Sequence, residues 1–306
     1  MSRTLFIVNP AAANGQVQKR WPQIKAAVER AGLSFDVKMT AGPMDAAKIA
    51  AKALEDGWDT IVSVGGDGTL NEVLNGFFRD GQPINPLARL GVLSLGTGLD
   101  FVRGAGIPSE LGESIRILKR GRTWKVDVGQ IQYERPAAAG SLRYFLNVAG
   151  LGLEGETVKQ VNETSKRLGG FISFLWGTLV ALVRYSNRQV RLEIDGMVRY
   201  QGKCTMIAVA NSKYFGGGMM IAPNAALDDG RLDIIIVDGV SKLEILKTFP
   251  KLYRGEHLSH PAVYVMHGSR IKATSAEKVL VDADGEQSGQ LNVEFTLLPK
   301  ALNLIC

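Results

Sequence analysis

The first 120 residues alternate between short apolar runs and stretches whose apolar residues recur every three or four positions. Leu5-Phe6-Ile7-Val8 has the pattern of a buried strand closed by Asn9-Pro10, and Trp21, Ile24, Ala27, Val28 and Ala31 then recur at helical spacing until Gly32. Ser34 to Met39 alternates as a strand, Asp45 to Leu54 is an Ala-rich helix ended by Gly57, and Thr60-Ile61-Val62-Ser63-Val64 is an almost wholly apolar strand. A helix with Leu70, Val73, Leu74 and Phe77 on one face follows, then the strand Leu90 to Leu95. Strands separated by single helices predict a doubly wound α/β domain with a parallel sheet.

From about Lys125 the pattern changes. Val190 to Asp195 alternates apolar and charged residues, Asp195-Gly196 supplies a hairpin turn, and Met197 to Tyr200 begins the return strand. Further strand-like runs lie at Met206–Ala210, Leu232–Val237, Ala262–Met266, Lys278–Val281 and Leu291–Leu298. This half is expected to be mostly antiparallel β, a sandwich or flattened barrel. The predicted division is residues 1–124 and 125–298.

Composition narrows the class. With 45% apolar and 22% charged residues, the chain is a globular protein rather than a disordered or fibrous one. Two cysteines, Cys204 and Cys306, exclude a disulfide scaffold or a cysteine-rich zinc site and point to a reducing compartment. The N-terminal apolar run is too short for a secretion signal, so a cytoplasmic protein is expected. The net charge of +6 is spread evenly, with 15 basic and 12 acidic residues in 1–124 and 21 and 18 in the remainder. That is no nucleic-acid stripe. It suits weak peripheral attraction to an anionic membrane, at the inner face. The longest uncharged run, Leu168 to Val183, falls short of the roughly 20 residues of a membrane span and reads as a buried or groove-lining helix, in which Phe171, Phe174, Leu175 and Trp176 pack or line an acyl-chain groove.

Gly is in excess, 35 residues, and its placement carries the chemistry. An apolar strand delivers the chain into Gly65-Gly66-Asp67-Gly68-Thr69, and an amphipathic helix starts at once. Backbone amides and a helix N-terminus at that point suit a polyanion. Asp67 would be repelled by bare phosphate, which implies a bridging cation, most simply Mg²⁺. A second loop, Gly96-Thr97-Gly98-Leu99-Asp100, follows the next strand and would frame the same nucleotide. No G-x-x-x-x-G-K-[ST] exists, so the chain is no P-loop enzyme. His257 and His260 lack acidic or thiol neighbours and read as surface or core histidines.

The run Gly65-Gly66-Asp67-Gly68-Thr69-Leu70-Asn71-Glu72 resembles the nucleotide loop of diacylglycerol kinases, sphingosine kinases and, more distantly, NAD kinases. Val209-Ala210-Asn211, Phe215-Gly216-Gly217-Gly218-Met219, Leu227 to Asp233 and Val281 to Glu286 are similar to the bacterial diacylglycerol and lipid kinases specifically. The resemblance implies an ATP- and magnesium-dependent kinase that phosphorylates a lipid hydroxyl, with the last residues, 299–306, returning to the first domain, and it suggests a homodimer. Carried over position by position, it implies nucleotide contacts at Asn9, Thr40, the Gly65–Glu72 loop, Gly96 and Thr97. It implies an acidic magnesium and water network of Asp67, Asp100 and Asp127, and a general base at Glu286. It further implies a second magnesium site formed by the Asp229 side chain and the carbonyls of Ala226 and Arg231.

The chain departs from the family pattern at Ala11-Ala12-Ala13-Asn14-Gly15, where a Ser-Gly pair is usual, at Leu99, where Asn is usual, and at Leu153-Glu154, where Phe-Asp is common. Two other readings stay open on the residues alone: a soluble kinase of the NAD-kinase type, and a catalytically silent lipid-binding protein.

Overall fold

The structure, a computed structural model, describes residues 3–137, 140–153, 155–156 and 185–306. The uncharged run Leu168–Val183, its aromatic residues and Glu154 lie outside them. The chain forms two compact units, Met1–Val128 with Pro299–Cys306, and Gly129–Leu298.

The first unit contains β1 (Thr4–Val8), α1 (Gln16–Arg30), β2 (Asp36–Met39), α2 (Asp45–Glu55), β3 (Thr60–Gly65) and α3 (Asp67–Asn75). A small hairpin of β4 (Phe78–Arg79) and β5 (Gln82–Pro83) precedes β6 (Arg89–Ser94), α4 (Asp100–Gly104) and α5 (Leu111–Arg120). β6, β3, β1 and β2 lie side by side, all parallel, and the returning residues Asn303 and Leu304 pair parallel with Arg89 and Leu90. β3 is central, so all six of its residues are buried, which is why it reads as an almost wholly apolar run. Val17, Trp21, Ile24 and Val28 of α1 are buried at helical spacing against this sheet. Each such side chain contributes about 1.5–3 kcal/mol. α2 and α3 touch almost backbone to backbone: a Cβ on Gly76 would lie 2.3 Å from the Ala47 carbonyl oxygen.

The second unit is built on β7 (Thr123–Ala137), β8 (Gly140–Phe145), β9 (Val148–Gly152), β10 (Arg188–Ile194) and β11 (Met197–Ala210). Two short strands, β12 (Tyr214–Phe215) and β13 (Met219–Met220), precede β14 (Leu232–Asp238), the helix α6 (Lys242–Leu252) and a 3-10 turn at Glu256–Ser259. The chain ends with β15 (Val263–Gly268), β16 (Arg270–Thr274), β17 (Leu280–Ala283), β18 (Glu286–Gln290) and β19 (Val293–Ile305). The order β18-β17-β9-β11-β10-β16-β19 is antiparallel throughout. The first half of β11 pairs with β10, while its second half lies between β9 and β14. In β10, Val190, Leu192 and Ile194 point into the core, as the alternation predicts. The turn after it has Asp195 and Gly196 both at positive φ, 48° and 82°, the Asp-Gly hairpin expected. The fold is therefore an α/β parallel-sheet unit followed by an antiparallel β unit.

The sequence reading did not foresee α6. Its start carries a capping box, in which Ser241 Oγ accepts from the Glu244 amide and the Glu244 carboxylate from the Ser241 amide. Its apolar residues are spread around the helix rather than gathered on one stripe, which removes the periodicity that would reveal it. Among the described residues no helix is long and apolar enough to cross a membrane.

Candidate functional site

β3 ends in Gly65 and α3 begins at Asp67, so the first glycine loop is a tight strand-to-helix turn. Leu70 donates the first intrahelical bond, to the Gly66 carbonyl at 3.1 Å. The amides of Asp67, Gly68 and Thr69 are thus those that an α-helix leaves without an internal partner. None of Gly65, Gly66 and Gly68 has positive φ. Crowding instead explains Gly65 and, in the second loop, Gly96. A Cβ on Gly65 would lie 2.4 Å from Thr69 Oγ1, and one on Gly96 would lie 2.7 Å from Gly66 Cα. The two glycine loops therefore touch through bare backbone, and the Leu95 amide ties them with a 2.7 Å bond to the Gly65 carbonyl.

Asp67 sits at this contact. Its carboxylate accepts from the amides of Asp100 at 3.3 Å and Phe101 at 3.4 Å, and a Cβ on Gly98 would lie 2.8 Å from Asp67 Oδ2 and 3.6 Å from Asp100 Oδ2. Two carboxylates thus converge where residue 98 has no side chain. Burial raises the Asp67 pKa; the amides of Asp100, Phe101 and Leu99 and the Arg103 charge work against that rise. A cation at this point would relieve the desolvation. Asp100 is itself buried, 3.4 Å from Arg103. Among the described residues no three His, Cys, Asp or Glu side chains gather closely enough to hold a metal ion. Two carboxylates suit Mg²⁺, which keeps waters and takes further oxygens from phosphate.

The remaining predicted residues of this unit surround the loops or support them. Asn9 follows β1 and donates to Thr69 Oγ1 at 3.0 Å. Thr40 follows β2, its amide bonded to the Val8 carbonyl. Thr97 lies in the second loop, between Gly96 and Gly98. Leu70 and Asn71 are buried within α3. Glu72 turns away to α2, accepting from the Ala46 amide at 3.2 Å, where its charge also suits the helix start. Asp127 is fully buried and accepts from the Lys300 amide at 2.7 Å, which fastens the returning C-terminal strand. Leu99 stands in the left-handed region at φ 58°, the N-cap of α4, a conformation Asn tolerates and Leu resists.

In the second unit Glu286 opens β18 directly after the turn Asp284-Gly285, whose φ angles are 50° and 82°. The Glu286 side chain is exposed. Its turn is held by Asp284, whose carboxylate accepts from the amides of Leu146 at 2.9 Å, Asn147 at 2.8 Å and Val148 at 3.2 Å. Asn211 ties the same segment, donating to the Leu146 carbonyl at 3.0 Å. Neither role is visible in the local sequence, where the Asp284-Gly285 pair signals only a turn. Behind them Asp282 is fully buried, and among the described residues no hydrogen bond of good geometry reaches its carboxylate.

Ala226, Asp229 and Arg231 lie on the loop before β14. Asp229 accepts from the Arg231 side chain at 2.9 Å and from its amide at 3.3 Å. Elsewhere in the unit a small cavity of about 60 Å³ is lined by Met206, Ile221, Ile245, Phe249, Leu252 and Val263. His257, at its edge, is a buried core histidine whose Nε2 lies 3.0 Å from the Ile221 carbonyl oxygen, and burial lowers its pKa.

Comparison with known proteins places this architecture. Residues 3–131 match the diacylglycerol kinase catalytic domain, and residues 147–306 match the YegS C-terminal NAD kinase beta sandwich-like domain. A diacylglycerol kinase of Staphylococcus haemolyticus is 31% identical over 98% of this chain and 86% of its own length, and one of Bacillus subtilis 29% over 100% and 96%. A crystal structure from Bacillus anthracis, provisionally named a diacylglycerol kinase, superposes with a TM-score of 0.77 at 25% identity, covering 99% of this chain and 96% of that one. An ATP-bound NAD kinase of Archaeoglobus fulgidus shares the fold at TM-score 0.53 and 17% identity, over 99% and 93% of the two chains. The matches run end to end through both units, and the chain belongs to the diacylglycerol kinase family, a family of lipid-phosphorylating transferases.

Proposed function

We propose that this lipid kinase transfers the γ-phosphate of magnesium-bound ATP to the hydroxyl of a diacylglycerol-type lipid. The observation that carries the nucleotide half is the convergence of two glycine loops with Asp67 and Asp100 at Gly98. On this reading the amides of Asp67, Gly68 and Thr69 and the N-terminus of α3 receive the phosphates. Asn9, Thr40 and Thr97 frame the nucleotide, and Asp67 and Asp100 would hold a magnesium ion, which would neutralise phosphate charge. Asp127 acts one step back, through the strand it fastens. Glu286 takes the proton of the acceptor hydroxyl, whose oxygen bonds to the γ-phosphorus as the bond to the β–γ bridging oxygen breaks and ADP leaves. Ala226, Asp229 and Arg231 suit a second, structural magnesium. The nucleotide machinery belongs to the first unit and the acceptor machinery to the second.

The cavity under α6 favours a lipid acceptor over a dinucleotide, because its lining is apolar and offers almost nothing polar to a nucleotide. The test is transfer of labelled phosphate from ATP to diacylglycerol in mixed micelles, with NAD as the competing acceptor. Label is expected in the lipid alone. Glu286→Gln is expected to slow transfer about 10²- to 10⁴-fold, with ATP affinity kept. Label in NAD, or an unimpaired Glu286→Gln enzyme, would overturn the assignment.

A further inference from the structure

α6 is apolar on both sides. Ile245, Thr248, Phe249 and Leu252 are half-buried and line the cavity beneath it. On the outer side Leu243 is 60% exposed and Leu246 47%, with Lys247, Pro250 and Arg254 on the same side at helical spacing and all exposed. No residue of α6 is fully buried. Leucines this exposed on one short helix bury too little of their surface to contribute much to folding.

The charge around them is also one-sided. Residues 241–254 hold four basic side chains, Lys242, Lys247, Lys251 and Arg254, against the single Glu244. Half of the chain's net charge of +6 therefore lies in fourteen residues. Glu244 is already committed to the capping box at the helix start, where it bonds the Ser241 amide at 2.9 Å. Apolar side chains ringed by lysine and arginine fit an anionic bilayer surface: the leucines enter the headgroup boundary, and the basic residues, whose stems are long enough to stay at headgroup level, meet phosphate. A second copy of this chain would instead bring the same basic ring against itself.

We infer that α6 is the membrane-docking element of this protein, lying along anionic lipid on its outer face with the apolar cavity at its back. The inference deepens the lipid-kinase reading by naming the surface that carries the acceptor, and it rests on that reading only for its purpose. The binding is electrostatic in part and is screened over about 8 Å at physiological salt.

The experiment is cosedimentation of the full chain with phosphatidylcholine vesicles with and without phosphatidylglycerol. Binding is expected only with the anionic lipid, falling as salt rises. Lys247→Ala with Lys251→Ala is expected to weaken it about fivefold per lysine. Leu243→Ser with Leu246→Ser is expected to weaken it about tenfold per leucine. Both double variants replace exposed residues, and an unchanged melting temperature verifies their folding. Wild-type protein that ignores anionic vesicles, or variants that bind as tightly as wild type, would overturn the inference. So would a dimer that dissociates in the leucine variant while its vesicle binding persists, which would give the face to a second copy. Phosphate transfer to a monomeric short-chain diacylglycerol, run in parallel, separates the two claims. Docking variants should keep that activity while losing transfer to vesicle-borne lipid. If wild type phosphorylates neither acceptor, the kinase reading fails and the vesicle binding is judged by itself.

Discussion

Asp284 offers a graded test of how the Glu286 turn is held. Replacing it by Ala removes the acceptor of three amide bonds, from Leu146, Asn147 and Val148. Hydrogen bonds to a charged acceptor contribute about 1.5–3 kcal/mol each, but neighbouring bonds are not additive, so about 3–5 kcal/mol is expected for the three. Ala also resists the 50° φ of this position, which adds to the loss. At about 3 °C per kcal/mol for a unit of this size, Asp284→Ala should lower the melting temperature by about 10–15 °C. Asn is the informative control. Oδ1 serves Asn147 and Val148, and Oδ2 serves Leu146. Asp284→Asn can keep the first two bonds and the left-handed turn, but its amide would face the Leu146 N–H. Its loss should be about 1–3 kcal/mol, or about 3–9 °C. Differential scanning calorimetry orders the three proteins. Equal losses for Ala and Asn would mean that the charge, and not the acceptor geometry, holds the turn. A drop below about 2 °C for Ala would refute the clamp altogether.

Two further outcomes are expected. Leu99→Asn should raise the melting temperature by about 3–6 °C, because it relieves about 1–2 kcal/mol of left-handed strain at the N-cap of α4; no gain would mean that the loop relaxes around Leu. Burial pushes the Asp282 carboxyl up to about 8, reinforced by the charges of Asp284 and Glu286 and opposed by the Gly285 amide. The folded state then holds a proton that the unfolded chain releases near its ordinary value of 3.8, so stability falls as pH rises between those values, by up to about 1.4 kcal/mol per pH unit. Asp282→Asn should flatten that slope in urea titrations from pH 5 to 8, and an unchanged slope would show that Asp282 is ionised in the fold.

Some of this protein was determined by the sequence alone. The parallel unit could be read because β3 is buried on both faces and its flanking helices bury a stripe, patterns generated by local backbone geometry. The Asp195-Gly196 turn was legible for the same reason: two adjacent residues carry the required positive φ. The first glycine loop was legible as a strand-to-helix turn, yet the reason for its glycines was not. They are set by contact between Gly66 and Gly96, thirty positions apart, and by Thr69 folding back on Gly65. Only the tertiary structure puts the Gly98 backbone against Asp67, gives Asp127 the amide of Lys300, and aims Asp284 at a segment 136 to 138 residues away. α6 escaped because it is apolar on two sides, and its meaning depends on which side the cavity takes. Periodicity records which face of an element is buried. It holds nothing about which distant backbone a carboxylate will meet, because that is decided when the elements pack.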